Sequence, residues 1–400
     1  MATAKPRVIC ARSALDIEEE MARLGADRDG IEKMLPTSTL HAVKLPGLPG
    51  PVARELKSLA LCAGGAVAIA SDVYFGKDGD TDALLWGTPA SIERLCAALR
   101  ASRPEMVQVG GLIEDALRAF HGSRGTTKCR GTVFEWGSRT YVMGIINVTP
   151  DSFSLDGLGD DVEAAVQLGR RMVAEGADVV DVGGESTRPG HTPISAEEEL
   201  RRVLPVIRAL AHELPVPVSI DTHKAEVARQ AVVAGASMVN DIWGLRADPE
   251  MAAVVAQADV PVVLMHNQDG THYRNLMDDV VSALGESIDL ALSAGVKWDN
   301  IIIDPGIGFG KTWQQNLKVL ARLAELKSLG RPILLGSSRK STIGRVLDLP
   351  VDQRLEGTAA TVAIGICNGA DMVRVHDVKE MVRVARMTDA VVRGRWAESS

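Results

Sequence analysis

Polar and charged residues that can do chemistry recur at the ends of short apolar segments in the last two-thirds of this 400-residue chain. Each segment is rich in Val and Ile and closes with a group that can hydrogen-bond, bind a metal or carry charge. The segments are 141–149, 177–184, 217–222, 238–243, 261–266, 301–306, 332–338 and 372–376. The closing groups are Asn147, Asp181, Glu185, Asp221, Asn240, Asp241, His266, Asp304, Lys340 just beyond its segment, Arg374 and His376.

Two kinds of chemistry are present among these groups. The carboxylates and amides can hydrogen-bond a polar ligand, and burying them without a partner would be costly. The last three, Lys340, Arg374 and His376, are basic and together suit an anion. The sequence therefore predicts one rim of the molecule with a hydrogen-bonding part and an anion-binding part.

The elements that would position these groups alternate between strand and helix. Fully buried parallel strands read as near-continuous apolar runs because helices cover both faces of the sheet. The intervening segments carry apolar residues at helical spacing, and they are 161–175, 195–213, 224–234, 248–257, 280–293, 312–329, 354–368 and 377–392. Four of them end in a glycine of the kind that terminates helices, at Gly176, Gly235, Gly295 and Gly369.

Eight strands that alternate with eight helices over about 250 residues are typical of a (β/α)₈ TIM barrel, in which functional groups gather at the carboxyl ends of the strands. A doubly wound open sheet is the alternative, but it would concentrate its site at one switch point. We therefore expect an α/β protein in which a TIM barrel, residues 140–395, follows a small α/β domain.

The first part of the chain follows a different pattern. Strands are expected at 7–11, 40–45, 66–75 and 83–87, and helices at 14–24, 53–62, 90–101 and 113–121. We interpret residues 1–125 as a small α/β domain of unknown role, because they contain no recognisable site. Residues 126–139 lie in a stretch rich in Gly, Ser, Thr and Arg and are expected to be a linker.

Composition excludes several classes of protein. The net charge of -8 and the pI near 5.6 give no basic surface for nucleic acid. No stretch is apolar for long enough to cross a membrane, and the N-terminus lacks a signal-peptide pattern. The five cysteines are scattered, which favours reduced thiols, mostly small core residues, in a cytoplasmic protein.

Several segments together resemble the signatures of the dihydropteroate synthase family. The first is Met-Gly-Ile-Ile-Asn-Val-Thr-Pro-Asp-Ser-Phe-Ser at 143–154, and the second is Asp-Val-Gly-Gly-Glu-Ser-Thr-Arg-Pro-Gly at 181–190. Six more follow in that family's order, at 219–222, 239–241, 264–266, 304–311, 338–341 and 374–377. The match covers about 140–395, and any single motif is moderate support whereas the ordered set is specific.

The resemblance implies an enzyme of folate biosynthesis, a transferase. It would join p-aminobenzoate to 6-hydroxymethyl-7,8-dihydropterin diphosphate, giving 7,8-dihydropteroate and diphosphate with the help of Mg²⁺. Two copies of the barrel would pair through their outer helices as a homodimer. Two alternatives remain at this point, a pterin-binding methyltransferase and a non-catalytic pterin-binding protein, although neither needs the whole set of basic groups.

The resemblance also assigns residues to each ligand. A carboxylate can accept two parallel N–H donors, as the edge of a pterin offers them, and the pterin site would comprise Asp221, Asn240, Met265, Asp304, Phe309, Lys340 and Arg374. The diphosphate site would comprise Asn147, Thr187, Arg188, Arg374 and His376, with Asn147 also binding Mg²⁺. Barrels frequently bind phosphate at the loops after strands seven and eight, which here hold the three residues expected to act in catalysis: Lys340, Arg374 and His376.

The p-aminobenzoate site is expected at Phe153, Pro189, Phe309 and Ser341. Apolar walls would hold the ring, and a helix that begins near Ser341 would attract the carboxylate. The loops 151–160 and 185–194 are long and carry several glycines and prolines. We expect them to act as mobile lids.

Overall fold

The computed structural model describes residues 14–148, 161–185 and 193–394, together with residues 9 and 11. The chain divides into two compact units, Met1–Arg118 and Ala119–Ser400. Within the described ranges, no helix combines the length and the apolar character needed to cross a membrane. The predicted fold class, a TIM barrel preceded by a small α/β domain, is confirmed.

The first unit is a three-stranded antiparallel sheet with helices. Its strands are β1 (His41–Pro49), β2 (Ala66–Ala68) and β3 (Asp80–Gly87), in the order β1-β3-β2. Its helices are α1 (Ala14–Arg23), α2 (Arg28–Met34), α3 (Gly50–Cys62), α4 (Ser71–Tyr74), α5 (Pro89–Arg100) and α6 (Pro104–His121), the last of which crosses the unit boundary. The strand expected over 66–75 ends at Ala68, because the chain turns into α4 there.

Residues 126–139, expected to be a linker, instead contain a β-hairpin of β4 (Thr126–Cys129) and β5 (Thr132–Glu135). Its apolar side chains form a cluster with inward-facing residues near the amino-terminal ends of the barrel strands. Trp136 donates through Nε1 to Thr127 Oγ1 at 2.8 Å, and Thr127 donates to the carbonyl of Asp299 at 2.5 Å. The hairpin therefore fills the amino-terminal end of the barrel. Composition did not predict the hairpin, because the residues that it packs against lie far away along the chain.

The barrel is a parallel sheet of eight strands. They are β6 (Tyr141–Asn147), β7 (Val179–Gly183), β8 (Val218–Asp221), β9 (Met238–Asp241), β10 (Val262–Met265), β11 (Ile301–Asp304), β12 (Leu334–Leu335) and β13 (Met372–Val375). Neighbours in sequence are neighbours in the sheet from β6 to β11, and β13 pairs with both β6 and β12. A bridge between Ile303 and Ile333 closes the ring.

Helices follow the barrel strands and cover the outside of the ring. They are α7 (Val162–Glu175), α8 (Ala196–Glu213), α9 (Ala225–Val233), α10 (Met251–Ala258), α11 (Leu276–Ser293), α12 (Trp313–Ala321), α13 (Ser341–Leu347), α14 (Leu355–Cys367) and α15 (Val378–Arg393). Gly176 and Gly369 follow α7 and α14 with φ of +105° and +97°, as their helix-ending role requires. Outward-facing strand residues and helix residues form one continuous apolar core.

Alternation along the strands determines which side chains enter the barrel. Successive side chains of a strand point to opposite faces, and the inner apolar layer contains Met143, Val179, Met238, Val263, Ile302 and Met372. Residues two positions beyond an inner residue face inward again, one layer higher. That layer includes Asp181, Asn240, Met265, Asp304 and Arg374, so the barrel places these groups at one end of its interior.

The four cysteines within the described ranges have free thiols. Cys96 and Cys129 are buried, and burial raises the pKa of each thiol to about 11, so they stay protonated at neutral pH. Cys62 and Cys367 are exposed, which differs from the expectation that most cysteines lie in the core.

Candidate active site

The carboxyl ends of the barrel strands collect most of the predicted site residues. Those that the structure brings to this end are Asn147, Asp221, Asn240, Met265, Asp304, Phe309, Lys340, Ser341, Arg374 and His376. The other four, Phe153, Thr187, Arg188 and Pro189, lie outside the described residues, as do most of the two expected lid loops. The roles of all these residues stay predictions.

A single guanidinium joins three strands at the floor of the site. Arg374 donates from Nε to Asp181 Oδ2 at 2.6 Å and from Nη2 to Asp221 Oδ2 at 2.7 Å. Asn240 donates from Nδ2 to the same oxygen of Asp181 at 3.0 Å. Burial raises the pKa of Asp221 well above its usual value, Arg374 opposes that rise, and Asp181 adds to it. The other oxygen of Asp221 is buried and accepts no hydrogen bond within the described part of the chain.

Asp304 sits beside this floor at the end of β11. Its Oδ1 accepts a hydrogen bond from the backbone N–H of Gly306 at 2.7 Å, so the carboxylate stabilises the turn that follows the strand. Burial raises the pKa of Asp304 to about 6, against the opposing effects of that hydrogen bond and of the charges on Lys340, Lys311 and Arg374. Asp304 therefore supports the turn with one oxygen and retains a second one for a ligand.

The turn after β11 tolerates only glycine at position 306. Gly306 has φ of +69°, and a Cβ there would lie 1.9 Å from the carbonyl oxygen of His266. This close approach brings the loops after β10 and β11 together. The backbone N–H of His266 also donates to the carbonyl of Asp304 at 2.9 Å.

Lys340 and Phe309 form one wall of the site. The Lys340 ammonium lies 4.1 Å from the centre of the Phe309 ring, within the range of a cation–π interaction. Lys340 precedes the first residue of α13, and its side chain passes Gly308 so closely that a Cβ there would lie 3.0 Å from Lys340 Cδ. The wall therefore depends on a residue without a side chain at position 308.

Two parallel links connect the loops after β12 and β13. Ser338 Oγ and His376 Nδ1 are 2.9 Å apart. Arg339 forms a two-pronged ion pair with Asp377, with Nε 3.0 Å from Oδ2. Arg339 has φ of +55°, a conformation that is strained for a residue with a side chain. Its ion pair holds this turn in place, and the turn sets the direction of Lys340.

Lys224 contacts both flanks of the segment 186–192, which lies outside the described residues. Its ammonium donates to Glu185 Oε2 at 2.6 Å and to the carbonyl of Ile194 at 2.8 Å. A third bond reaches Glu199 Oε2 at 2.6 Å. Burial lowers the pKa of Lys224, but the bonds with Glu185 and Glu199 outweigh burial and raise it overall.

Asn147 is the one metal ligand that the resemblance implies. It ends β6 opposite Gly183 and is half-buried, and no described residue hydrogen-bonds to its side chain. The described residues contain no cluster of three or more His, Cys, Asp or Glu side chains that would hold a metal by themselves. A single amide oxygen fits Mg²⁺, because this ion usually keeps several waters and binds through one or two protein groups plus substrate phosphates.

Three residues of the site received no role from the sequence, namely Asp181, Lys224 and Lys311. Asp181 was visible as a closing group of its strand, and its spacing from Val179 matches that of Asn240 from Met238. That shared spacing is the signal for an inward-facing floor residue. The two lysines gave no such signal, because the side chains they contact, Glu185 and Glu199 for Lys224 and His266 for Lys311, are distant in sequence.

Comparison with known proteins agrees with this geometry. A family model described as pterin binding enzyme matches residues 143–376, so the barrel is that of a pterin-binding enzyme. A dihydropteroate synthase of Clostridium beijerinckii is 56% identical over 261 residues, which cover 65% of this chain and 97% of that one. The crystal structure of dihydropteroate synthase from Clostridium difficile with pteroic acid is 55% identical with a TM-score of 0.63, and covers 65% of this chain and 99% of that one.

The chain belongs to the dihydropteroate synthase family. It is a transferase of folate biosynthesis that condenses p-aminobenzoate with 6-hydroxymethyl-7,8-dihydropterin diphosphate. A longer match is found with a bifunctional folylpolyglutamate synthase/dihydropteroate synthase of Halobacterium salinarum, 42% identical over 353 residues, or 86% of this chain and 42% of that one. Since the second unit, Ala119–Ser400, is shorter than 353 residues, this match extends into the first unit.

Proposed function

We propose that the condensation takes place at the carboxyl end of the barrel, with the pterin on the floor and the diphosphate at the basic side of the mouth. The observation that carries this proposal is the floor itself, where one guanidinium, two carboxylates and an amide from four strands meet. Such a set suits a flat heterocycle with alternating donors and acceptors, because each buried group then finds a partner.

The pterin would be recognised by acceptors that the protein leaves open. The second oxygen of Asp221 is buried and accepts no hydrogen bond from the described residues, and Asp304 has one oxygen beyond the Gly306 turn. These acceptors match the amino group and ring N–H of a pterin. Lys340 would donate to the pterin carbonyl, and Met265, buried opposite Asp304, would contact the ring.

The diphosphate would bind where the basic groups lie. His376 follows β13, and we assign Thr187, Arg188 and Arg374 to the same anion. Arg374 is already held by Asp181 and Asp221, so its third nitrogen, Nη1, is the one left for phosphate. Asn147 would hold Mg²⁺, which when bound would neutralise charge on the departing diphosphate.

Catalysis then requires orientation and charge stabilisation more than proton transfer. The bond between the pterin methylene and the diphosphate oxygen breaks, and the arylamine nitrogen attacks that carbon. The nitrogen then releases one proton, which the departing diphosphate or water can accept. Cations aimed at the leaving oxygens stabilise charge that develops in the transition state. We assign this task to Lys340, Arg374 and His376.

We assign p-aminobenzoate to the wall that Lys340 and Phe309 form, with Phe153, Pro189 and Ser341 completing the pocket. By the resemblance to a family inhibited by sulfonamides, a sulfonamide should compete with p-aminobenzoate and not with the pterin. Noncompetitive inhibition against p-aminobenzoate would contradict this pocket.

The direct test is an assay of dihydropteroate formation from the two substrates, with Mg²⁺ and with a chelator. We expect turnover with Mg²⁺ and little without it, restored by adding the ion back. Equal turnover in the two conditions would reject the metal, whereas pterin binding without any product would reject the reaction.

The exposed face of α14 and α15 supports a homodimer. Met387 and Val391 lie one turn apart on α15 and leave 66% and 58% of their surface exposed, and Ile364 on the neighbouring helix α14 leaves 50%. Light scattering should give twice the mass of one chain, and Met387→Glu should reduce it to that of a monomer.

The first unit is assigned to assembly, stability or regulation, as an extension of the archaeal type. The match of the haloarchaeal protein into this unit supports that origin. We also place the protein in the cytoplasm, on the strength of its free thiols.

A further inference from the structure

Asp181 is the most enclosed charged group of the site. It is fully buried at the centre of β7, and its Oδ2 receives both the Nδ2 donor of Asn240 and the Nε donor of Arg374. Its other oxygen, Oδ1, is buried and accepts no hydrogen bond from the described residues. Oδ2 accepts from two side chains that are assigned to the pterin, so the carboxylate acts on these neighbours through that oxygen.

We propose that Asp181 is a positioning residue for pterin recognition, which orients the amide of Asn240 and the guanidinium of Arg374. This inference rests on the proposed function, because both neighbours are assigned to the pterin. Asp181 does not touch the substrate in this scheme.

The orientation of the Asn240 amide follows from the bond to Asp181. An amide presents two donors on nitrogen and an acceptor on oxygen, and Asp181 accepts only from nitrogen. The Asn240 oxygen is therefore directed away from Asp181 and is available to accept an N–H from the heterocycle. Without Asp181 both orientations of the amide would be populated, and only one of them matches the pterin.

The orientation of Arg374 is fixed by two carboxylates from neighbouring strands. Asp181 accepts from Nε and Asp221 accepts from Nη2, so the plane of the guanidinium cannot rotate. Charge-assisted bonds of this kind are about twice as strong as neutral ones. Asp181 thus also affects how strongly the positive charge of Arg374 stabilises the ionised form of Asp221.

The test compares substitutions of two aspartates on the same strand segment. Asp178 precedes β7 at its other end and also pairs with an arginine, with its oxygens 2.9 and 2.6 Å from Arg139. Asp178→Ala and Asp178→Asn are therefore matched controls that change an ion pair, and a hydrogen bond from the backbone N–H of Val142, far from the pterin. Calorimetry would measure pterin binding, and steady-state kinetics would measure KM for each substrate.

We expect Asp181→Ala to weaken pterin binding roughly tenfold or more, and Asp181→Asn to weaken it less, because asparagine keeps an acceptor but loses the charge. KM for p-aminobenzoate should not change in either variant. If Asp181→Ala does not fold, Asp181→Asn carries the same comparison. The effect of Asp181→Ala should shrink in an Asn240→Ala background, because the two residues act as one unit.

A pH profile separates positioning from a general loss of stability. The charged groups around Asp221 are Arg374, Asp181, Glu199 and Lys340. Removing the negative charge of Asp181 leaves Arg374 to pair with Asp221 alone. The part of the acid limb of pterin binding that Asp221 contributes should therefore move to lower pH in both Asp181 variants. In the Asp178 variants the acid limb of pterin binding should lie at the same pH as in the unchanged protein.

The inference is wrong if the Asp181 variants bind pterin as tightly as the Asp178 variants. It is also wrong if the Asp181 variants lose thermal stability and their KM rises for both substrates. In either case the proposed function stands. If the unchanged protein itself fails to bind the pterin, both are wrong.

Discussion

The ammonium nitrogen of Lys311 lies 2.9 Å from Nδ1 of His266, and both side chains are buried. Lys311 also donates to the carbonyls of Gly306 and Phe309 at 3.1 and 3.2 Å. Burial, and then the nearby charge of Lys311, lowers the pKa of His266 to about 3, so the imidazole is neutral and can accept the bond. Lys311 thereby connects the turn after β11 with the end of β10.

Lys311→Met should change the pH dependence of stability. Burial lowers the pKa of Lys311 from 10.5 to about 7. A group with a lowered folded-state pKa contributes stability that is present above its unfolded pKa and is lost as pH falls toward the folded value. The unchanged protein should therefore gain up to about 1.4 kcal/mol per pH unit relative to the variant as pH rises from 7 to 10. Urea unfolding would measure this, with the exposed Lys318→Met as a control that shows no such slope.

Asp304→Asn should weaken pterin binding by about 1.5 to 3 kcal/mol, because an amide replaces a charged acceptor and can turn a donor toward a donor. The fold should persist, since asparagine can still accept from Gly306 N–H. Isothermal calorimetry would measure the affinity, with the exposed Asp289→Asn as the control. An unchanged affinity would remove Asp304 from the pterin site.

Pterin affinity should fall in acid. The pKa of Asp304 is raised to about 6 by burial, and only the ionised form accepts two N–H donors. Binding therefore favours the ionised form, and affinity should decrease by up to about tenfold per pH unit below that value. Titrations at several pH values would show this slope, and a flat profile between pH 5 and 7 would contradict the role of Asp304.

Lys224→Met should destabilise the barrel. It removes the ammonium that pairs with the buried carboxylates of Glu185 and Glu199, and breaking a buried pair in this way typically costs about 3 to 5 kcal/mol. Denaturant unfolding would measure the loss, against Lys379→Met on the exposed side of α15. A loss below about 1 kcal/mol, the range of surface pairs, would show that these carboxylates do not depend on Lys224.

A protein that begins at Ala119 should fold and catalyse, because every assigned group lies in the second unit. A protein that begins at Arg130 should be less stable, since it lacks β4 and the Thr127 bond to Trp136. Thermal midpoints and turnover of both would test this. If the protein that begins at Ala119 folds well but has no turnover, the first unit contributes to the active site.

The polar strand ends, and the alternation of strands with helices, were enough to predict the barrel and the gathering of polar residues at one end of it. Side chains alternate between the two faces of a strand, so the position of a residue in its apolar run tells which face it is on. This local pattern places Asp221, Asn240 and Asp304 on the inner face. The partner of each group is not local, because Arg374 reaches Asp181 and Asp221 across 193 and 153 residues of chain. Pairing of this kind is a property of the closed ring and cannot be read from any one segment.

The hairpin was missed for a related reason. Its strands are four residues each, and its composition resembles that of a flexible connection. Phe134 and Trp136 become core residues only because the inner layer of the barrel offers them a surface. Short strands that depend on distant partners have weak local signals.

The filling of one barrel end has a kinetic consequence. In the proposed arrangement two substrates and two products use the same mouth, and the pterin lies deeper than p-aminobenzoate. The arylamine would then enter productively only after the pterin, and whichever product leaves last would block the next cycle. Retained product would then act as an inhibitor that competes with the incoming pterin, so the rate of clearing the mouth can limit turnover.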